Sequence, residues 1–281
     1  MNYRHAFHAG NFADVFKHAL LALILDYLKR KETGFRYIDT HAGIGLYDLA
    51  GDEASRTGEW VDGIGRFMKE TFHPDIAALL APFLHAQGAL ATEHYAGSPV
   101  LAQRLLRKQD RLTCCEWHDE DIRILERTMG RDHRLILRHE NGYQALKGLV
   151  PPQERRGLVL IDPPFEERNE FQMMEEALVM AHRKWSTGIY ALWYPVKDMR
   201  TVAQFVARLK ERAIPKILRL ELAVEALRSD GPLAATGLIV VNPPYRLEEQ
   251  ARRLLPVLAK VLARGPGASS LVEVVQGEEI T

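Results

Sequence analysis

The chain has 281 residues, of which 47% are apolar and 26% charged, with 37 basic residues balancing 37 acidic ones and two cysteines. This composition excludes a disordered chain or a disulfide-stapled scaffold, and the length suits one large α/β domain with an insertion, or two small domains. Zero net charge argues against a protein that holds nucleic acid by bulk electrostatics alone.

Asn11 to Lys31 carries apolar residues at helical spacing (Val15, Phe16, Leu20, Leu23, Leu28). Its apolar run Ala19 to Leu25 is broken by Asp26, well short of the ~20 residues of a membrane span, so no membrane partner is expected. Asp14 and the lack of a small-residue cleavage site argue against a signal peptide. A strand follows at Phe35 to Asp39 and leads into the small-residue turn Thr40-His41-Ala42-Gly43-Ile44-Gly45. From Tyr47 to Gly97 the strand signal disappears, and short helical stretches are separated by Gly51, Gly58, Pro74 and Pro82, which reads as an inserted helical lobe. Strands are then expected at Arg111 to Glu116, Arg134 to Arg138, Gly157 to Ile161, Gly188 to Trp193, Ile217 to Ala223, Gly237 to Val241 and Leu271 to Val275. Helices between them cover about Asp119 to Met129, Tyr143 to Leu149, Phe171 to Lys184, Met199 to Arg212 and Leu247 to Leu262. This alternation is that of a wound parallel sheet, with the wholly apolar Gly157 to Ile161 buried on both faces. Cys114 and Cys115 are adjacent within an apolar strand, so they are expected to be buried and reduced in a cytoplasmic protein.

Two strand ends carry cofactor signals. Gly43 and Gly45 follow the acidic end of the first strand, where backbone can approach a ligand closely, although a purely structural turn would read the same way. Glu116 ends the second strand, where a carboxylate can bind the two hydroxyls of a ribose, or simply sit in solvent. Together they favour a nucleoside cofactor. Asp162-Pro163-Pro164-Phe165 follows the buried strand, and its two prolines enforce an extended loop with no free N–H at either position. The Asp162 carboxylate and the Pro163 carbonyl can accept from an exocyclic amine while Phe165 stacks on the base that carries it. Amine methylation needs such an arrangement: two acceptors favour a more tetrahedral nitrogen, whose lone pair can attack a methyl sulfonium in line. Asn242-Pro243-Pro244-Tyr245 repeats the wording, but Asp162 ends the fourth strand and Asn242 the seventh. Asp162 is therefore read as catalytic, and Asn242 as a strand-end loop lining the substrate entrance.

With these motifs in place, the chain resembles from end to end the bacterial 23S ribosomal RNA adenine-N6 methyltransferases, the large-subunit methyltransferase J family. The likeness runs through Tyr3-Arg4-His5, Phe7-His8-Ala9-Gly10-Asn11, Ala13-Asp14-Val15, Lys17-His18, Asp39 to Gly43, Arg56-Thr57-Gly58-Glu59 and Gly97-Ser98-Pro99. It continues through Arg155 to Leu158, Gly188 to Pro195 and Gly237 to Pro244. It implies a Rossmann-like class I methyltransferase with a mostly parallel seven-stranded sheet, a single domain over residues 1–281, and an inserted helical subdomain at 47–97. It further implies S-adenosylmethionine as methyl donor, S-adenosylhomocysteine as product, no metal, 23S ribosomal RNA as partner, and a monomer with no obligate protein partner.

By the same resemblance the cofactor contacts are His18, His41, Ser98, Glu116, Asn141, Gly142 and Asp162, the catalytic group is Asp162 with Pro163 and Phe165, and Tyr3 touches the RNA. Asn141 replaces the family's usual aspartate beside the cofactor adenine, and its side-chain oxygen is expected to accept from the adenine amine. Phe165 replaces a commoner tyrosine and keeps the stacking face. Ser98-Pro99 also reads locally as N-cap and first helical residue of Val100 to Lys108, and Trp193, Tyr194 and Pro195 as packing or as lining of the target pocket. His5, His8 and His18 lack an accompanying Cys or carboxylate at ligand spacing and do not read as a metal cluster. Basic residues gather at Arg104, Arg107, Lys108 and Arg111 and at Arg208, Lys210, Arg212, Lys216 and Arg219, as solvated helix faces or as a positive track beside the pocket. A DNA adenine methyltransferase, a protein-glutamine methyltransferase using Asn242, and a non-catalytic nucleic-acid-binding or uptake factor remain as alternatives.

Overall fold

The computed structural model describes residues 7–88, 93–228 and 230–277, so Tyr3 and His5 lie outside the described residues. In chain order the elements are α1 (Phe12–Leu28), β1 (Arg36–Asp39), β2 (Leu46–Asp48), α2 (Asp52–Thr57), α3 (Glu59–Asp62), α4 (Ile64–Phe67), α5 (Pro74–Gln87), β3 (His94–Ala96), α6 (Ser98–Leu105) and β4 (Arg111–Glu116). They continue with α7 (Asp119–Met129), β5 (Leu135–His139), α8 (Gly142–Leu149), β6 (Gly157–Ile161), α9 (Glu170–Lys184), β7 (Ile189–Pro195), α10 (Met199–Glu211), β8 (Ile217–Ala223), β9 (Ala235–Val241), α11 (Leu247–Val261) and β10 (Ser269–Gln276).

Eight strands form one sheet in the order β10-β8-β9-β7-β6-β1-β4-β5, rather than seven. The pairs β5–β4, β4–β1, β1–β6 and β6–β7 are parallel, whereas β7–β9, β9–β8 and β8–β10 are antiparallel. The eighth strand, β10, extends the antiparallel edge along β8. Side chains alternate between two cores: Tyr37, Leu158, Leu160 and Ala191 face α1, α5, α6, α7 and α11, and Ile38, Val159, Ile161 and Leu192 face α8, α9 and α10. A strand covered by helices on both faces has no solvent side, which is why β6 is apolar at every position and fully buried.

The direction of β9 corrects one expectation. β9 runs antiparallel to β7, so its last residue, Val241, lies beside Tyr190 near the start of that strand. Asn242-Pro243-Pro244-Tyr245 is therefore at the edge of the sheet opposite to Asp162 and cannot line the same entrance. Its backbone differs as well: Asn242 itself takes φ +52°, whereas in the Asp162 loop the left-handed residue is Phe165, at φ +53°. The Asn242 amide donates to the carbonyls of Ser186 and Gly188, both at 2.7 Å, and so ties two loops together.

Between β2 and β3 the chain holds four helices, and the two strands pair antiparallel as Leu46–Ala96, Tyr47–Tyr95 and Asp48–His94. Sequence patterning missed this ladder because three-residue strands are too short for period-two alternation to register. Helix α5 of the segment packs on α1, α6 and α11. Arg66 donates to the Ala263 carbonyl, and Arg253 of α11 pairs with Asp75 at 3.3 Å, so the segment is anchored to the body.

Candidate active site

Helix α1 is apolar nearly all round and buried over almost its whole length, as befits a helix inside the molecule rather than on it. Its N-cap, Asn11, accepts from the amides of Ala13 and Asp14. Asn11, Asp14, Lys17 and His18 follow helical spacing along one polar stripe, and that stripe lines a cavity of about 500 Å³ at the carboxyl ends of the parallel strands. Opposite stand His41, Ala42 and Gly43 from the turn after β1, Glu116, Trp117, His118 and Asp121 at the start of α7, and the whole Asp162-Pro163-Pro164-Phe165 loop after β6.

Lys17 decides the electrostatics of this space. Its Nζ lies 2.5 Å from Asp162 Oδ2 and 3.1 Å from Asp14 Oδ1, with its own side chain almost fully buried. Burial disfavours the ammonium, but the two carboxylates outweigh burial and hold the Lys17 pKa well above the ordinary lysine value. The second oxygen of Asp14 accepts from the Gly10 amide at 2.9 Å. One oxygen of Asp162 is thus anchored, while Oδ1 makes no hydrogen bond among the described residues. Two carboxylates against one ammonium leave the trio with one net negative charge, a setting that suits a cationic sulfonium.

The aromatic groups come from two strand ends. The Phe165 ring meets Phe171 edge-on at 5.0 Å and Trp193 at 5.8 Å, and Trp193 in turn lies 5.5 Å from Lys17 Nζ. After the two prolines Phe165 takes φ +53°, in the sparsely populated left-handed region, the kind of strain that persists where the surroundings fix it. Trp193 and Pro195 share a face of β7 and line the cavity, whereas Tyr194 points to the other face and donates to Glu221 at 2.8 Å.

On the wall formed by β1 and β4, Glu116 uses one oxygen to accept from the Gly43 amide and the other from the His118 amide, each at 2.8 Å. Those bonds orient the carboxylate and leave lone pairs for a pair of hydroxyls. Gly43 itself has φ +63°, the conformation that lets its amide turn toward Glu116. Burial pushes the Glu116 pKa upward, against the backbone amides that lower it. His41 receives 2.8 Å contact from Thr40 Oγ1 and is pushed down to about 4 by desolvation, so the ring is neutral near pH 7. His18 Nδ1 lies 2.7 Å from the Tyr95 hydroxyl. Beneath the turn, buried Asp39 is pushed up to about 6 by desolvation even though Ser98, Tyr37 and the His41 amide hydrogen-bond it.

Three expectations for this region change. Gly97 is the N-cap of α6, with Ser98 its first residue, and the Ser98 hydroxyl serves Asp39 instead of the helix end. Asn141 caps α8: its Oδ1 accepts from the Tyr143 and Gln144 amides at 3.0 and 3.2 Å, which engages both lone pairs and leaves the amide NH2, a donor, for any ligand. Gly142 lies against β1, where a Cβ would come within 1.9 Å of the Thr40 carbonyl oxygen. Neither Asn141 nor Gly142 lines the cavity, while His18, His41, Ser98, Glu116, Asp162, Pro163 and Phe165 all do.

A family model described as "Ribosomal RNA large subunit methyltransferase D, RlmJ" matches residues 32–275. The chain belongs to that family. Proteins named Ribosomal RNA large subunit methyltransferase J from Haemophilus influenzae and Escherichia coli are 41% identical over 99% of this chain and 100% of theirs, and 39% identical over 98% and 99%. A crystal structure of a Legionella pneumophila protein superposes with a TM-score of 0.84 at 32% identity, covering 97% of this chain and 99% of that one. In this RlmJ-family chain Lys17, Asp14 and Trp117 line the cavity although no sequence motif assigned them to a site, and Trp193 and Pro195, expected as packing or pocket lining, line it as well. The signal for the first two was available: ionisable residues at positions 14, 17 and 18 interrupt the inner stripe of a helix that is otherwise apolar. Trp117 is 56% exposed directly after Glu116 and lies among the cavity residues, a bare indole where an aromatic cofactor ring would rest.

Proposed function

We propose that this protein transfers a methyl group from S-adenosylmethionine to the exocyclic N6 of an adenine in 23S ribosomal RNA. The observation that carries this reading is the anchored Asp162 carboxylate, with Oδ2 on Lys17 and Oδ1 open, at the end of the central strand beside two prolines and an aromatic ring. The family membership supports the RNA substrate class, and the donor set supports the cofactor: a ribose-binding carboxylate at Glu116, a neutral His41, an exposed indole at Trp117 and net negative charge near Asp162. Residues 1–281 then form one methyltransferase domain with 47–97 as its insertion, working where ribosomal RNA is made.

When bound, the cofactor supplies an electrophilic methyl group. The chain's own residues hold the acceptor. The target adenine leaves its stack, at a cost of a few kcal/mol, and its ring settles against Phe165. Its amino hydrogens point to Asp162 Oδ1 and the Pro163 carbonyl, which favour a pyramidal nitrogen with its lone pair free to attack. Lys17 keeps the carboxylate in register and, held protonated, does not compete for the proton. After transfer the nitrogen sheds a proton, and Asp162 is the acceptor already in contact with it. The alternative that uses Asn242 as the catalytic amide is disfavoured by its position at the opposite edge and by its two bonds to backbone carbonyls.

Labelled methyl donor offered with unmodified 23S RNA, DNA and a protein extract tests the substrate class. Label in RNA alone, at adenine N6, is expected, and label in DNA or protein alone would overturn the reading. Asp162→Asn should lower kcat by roughly 10²–10⁴-fold, the usual worth of a positioned acid–base or polar group. Undiminished turnover in that variant would remove the mechanism.

A further inference from the structure

The two basic clusters visible in the sequence lie away from the site. Arg107 precedes β4 and Arg111 is its first residue, and Arg208 to Lys216 precede β8, so both groups stand at the strand starts, across the sheet from the cavity. Their arginines are also occupied. Arg107 binds Asp110 and the carbonyls of Lys29 and Lys31, while Arg104 and Arg111 donate to carbonyls. Arg208 and Arg212 both clamp the buried Glu175 at 2.7 Å, and Arg219 holds Glu221 and Glu273.

Around the cavity mouth the charge is uneven. The flank formed by the start of α7 is acidic, with Asp119, Glu120 and Asp121 in its first turn close to Glu116. The opposite flank consists of the loop between β7 and α10 and the loop between β8 and β9, which stand at the same edge because β8 runs in the direction of β7. Pro195, Lys197, Gly231 and Leu233 from these loops line the cavity together with Phe165. Lys197 is exposed and lies close enough to His8 for its charge to oppose protonation of that ring. Arg200 is exposed in the first turn of α10, and Arg228 is exposed with its Cβ 3.2 Å from the Cβ position of Gly231. Among the described residues none of these three cations forms an ion pair within 4.0 Å, although the Asp198 carboxyl, held below its usual pKa chiefly by the Thr201 hydroxyl, is lowered also by the charge of Arg200. Beside them Met199 and Leu227 are 51% and 39% exposed, apolar neighbours on which a base or sugar can rest.

We infer that the RNA backbone flanking the target adenine is held on this flank, its phosphates by Lys197, Arg200 and Arg228, and that the basic clusters on the far edge take no part. The inference rests on the RNA methylation proposed above. An RNA strand delivering a base to Phe165 and Asp162 leaves its phosphates at the mouth, where the acidic α7 flank repels them and these unpaired cations attract them. Three contacts to a single strand correspond to a salt slope of about −2, and each one lost should flatten it by about 0.7.

The test measures kcat and KM for unmodified 23S RNA from 50 to 200 mM salt, with S-adenosylmethionine binding by calorimetry as the check on folding. Lys197→Glu and Arg228→Glu are each expected to raise KM roughly tenfold with kcat and cofactor affinity little changed, and Lys197→Arg to restore it. The far-edge pair Lys108→Glu/Lys210→Glu should leave KM where it was. An unchanged KM and salt slope in Lys197→Ala/Arg200→Ala/Arg228→Ala, with cofactor still bound, would overturn the track while leaving the methylation intact. An equal rise in KM in the far-edge variant would overturn it too. A wild-type enzyme that labels no RNA would instead remove the proposed function, and this track with it.

Discussion

Lys17 is the residue on which the site turns. A buried ammonium between two carboxylates gains its place only as part of the trio, and removing it leaves Asp14 and Asp162 facing one another without compensation. Lys17→Met should therefore cost about 3–5 kcal/mol of stability and lower kcat along with it. Thermal unfolding and single-turnover methylation measure the two effects separately, and a stable, fully active variant would contradict the anchoring role. His8 offers a pH readout of the same wall. Its Nδ1 lies 2.9 Å from Glu59 Oε1, and the hydrogen bond that the ring donates to this carboxylate, working against desolvation, raises its pKa above 6.5. Since the folded pKa is the higher one, the pair's contribution is complete below pH 6.5 and is lost as pH rises through the raised value. NMR titration of the His8 ring protons should show the upward shift, and Glu59→Gln should abolish it.

At the scale of elements, short polar segments do the positioning. Asn141 caps α8 with the oxygen that an adenine amine would otherwise use, so Asn141→Asp retains the cap and adds a second acceptor. Because position 141 lies outside the cavity wall, that variant should keep the wild-type affinity for S-adenosylmethionine, whereas Asn141→Ala should lose about 0.5–2 kcal/mol of stability. Calorimetry and unfolding measurements on the same two proteins check both effects. Asn242 illustrates the opposite case, a motif resembling catalytic machinery that serves structure. Loss of its two carbonyl contacts in Asn242→Ala should lower stability by about 1–3 kcal/mol and leave kcat at the wild-type value. A collapse of kcat with stability unchanged would mean that the motif has a chemical role. Expected and observed elements agree closely wherever a strand or helix is long enough to express its period, as in β4, β6 and α7. They part at β2 and β3, which only pairing with one another makes strands.

For the whole molecule, the balance of 37 basic and 37 acidic residues misleads as an average, because the charges are sorted by edge. Arginines at the strand starts are spent on carboxylates and carbonyls inside the fold, and the cations beside the cavity that form no ion pair within 4.0 Å among the described residues are isolated in sequence, at positions 197, 200 and 228. The fold class and the cavity positions of the Asp162 loop and of Glu116 were legible in the sequence, because each is a local signal: a buried apolar run, two prolines after an aspartate, an acid at a strand end. The proposed amine-holding chemistry rests on four consecutive residues. What only the tertiary structure decided was which distant groups meet them. Lys17 reaches Asp162 across 145 positions of chain, β9 reverses and carries its look-alike motif to the far edge, and Asn141 spends its oxygen on a helix end. Each depends on strand direction or on long-range packing, and neither periodicity nor local propensity carries that information.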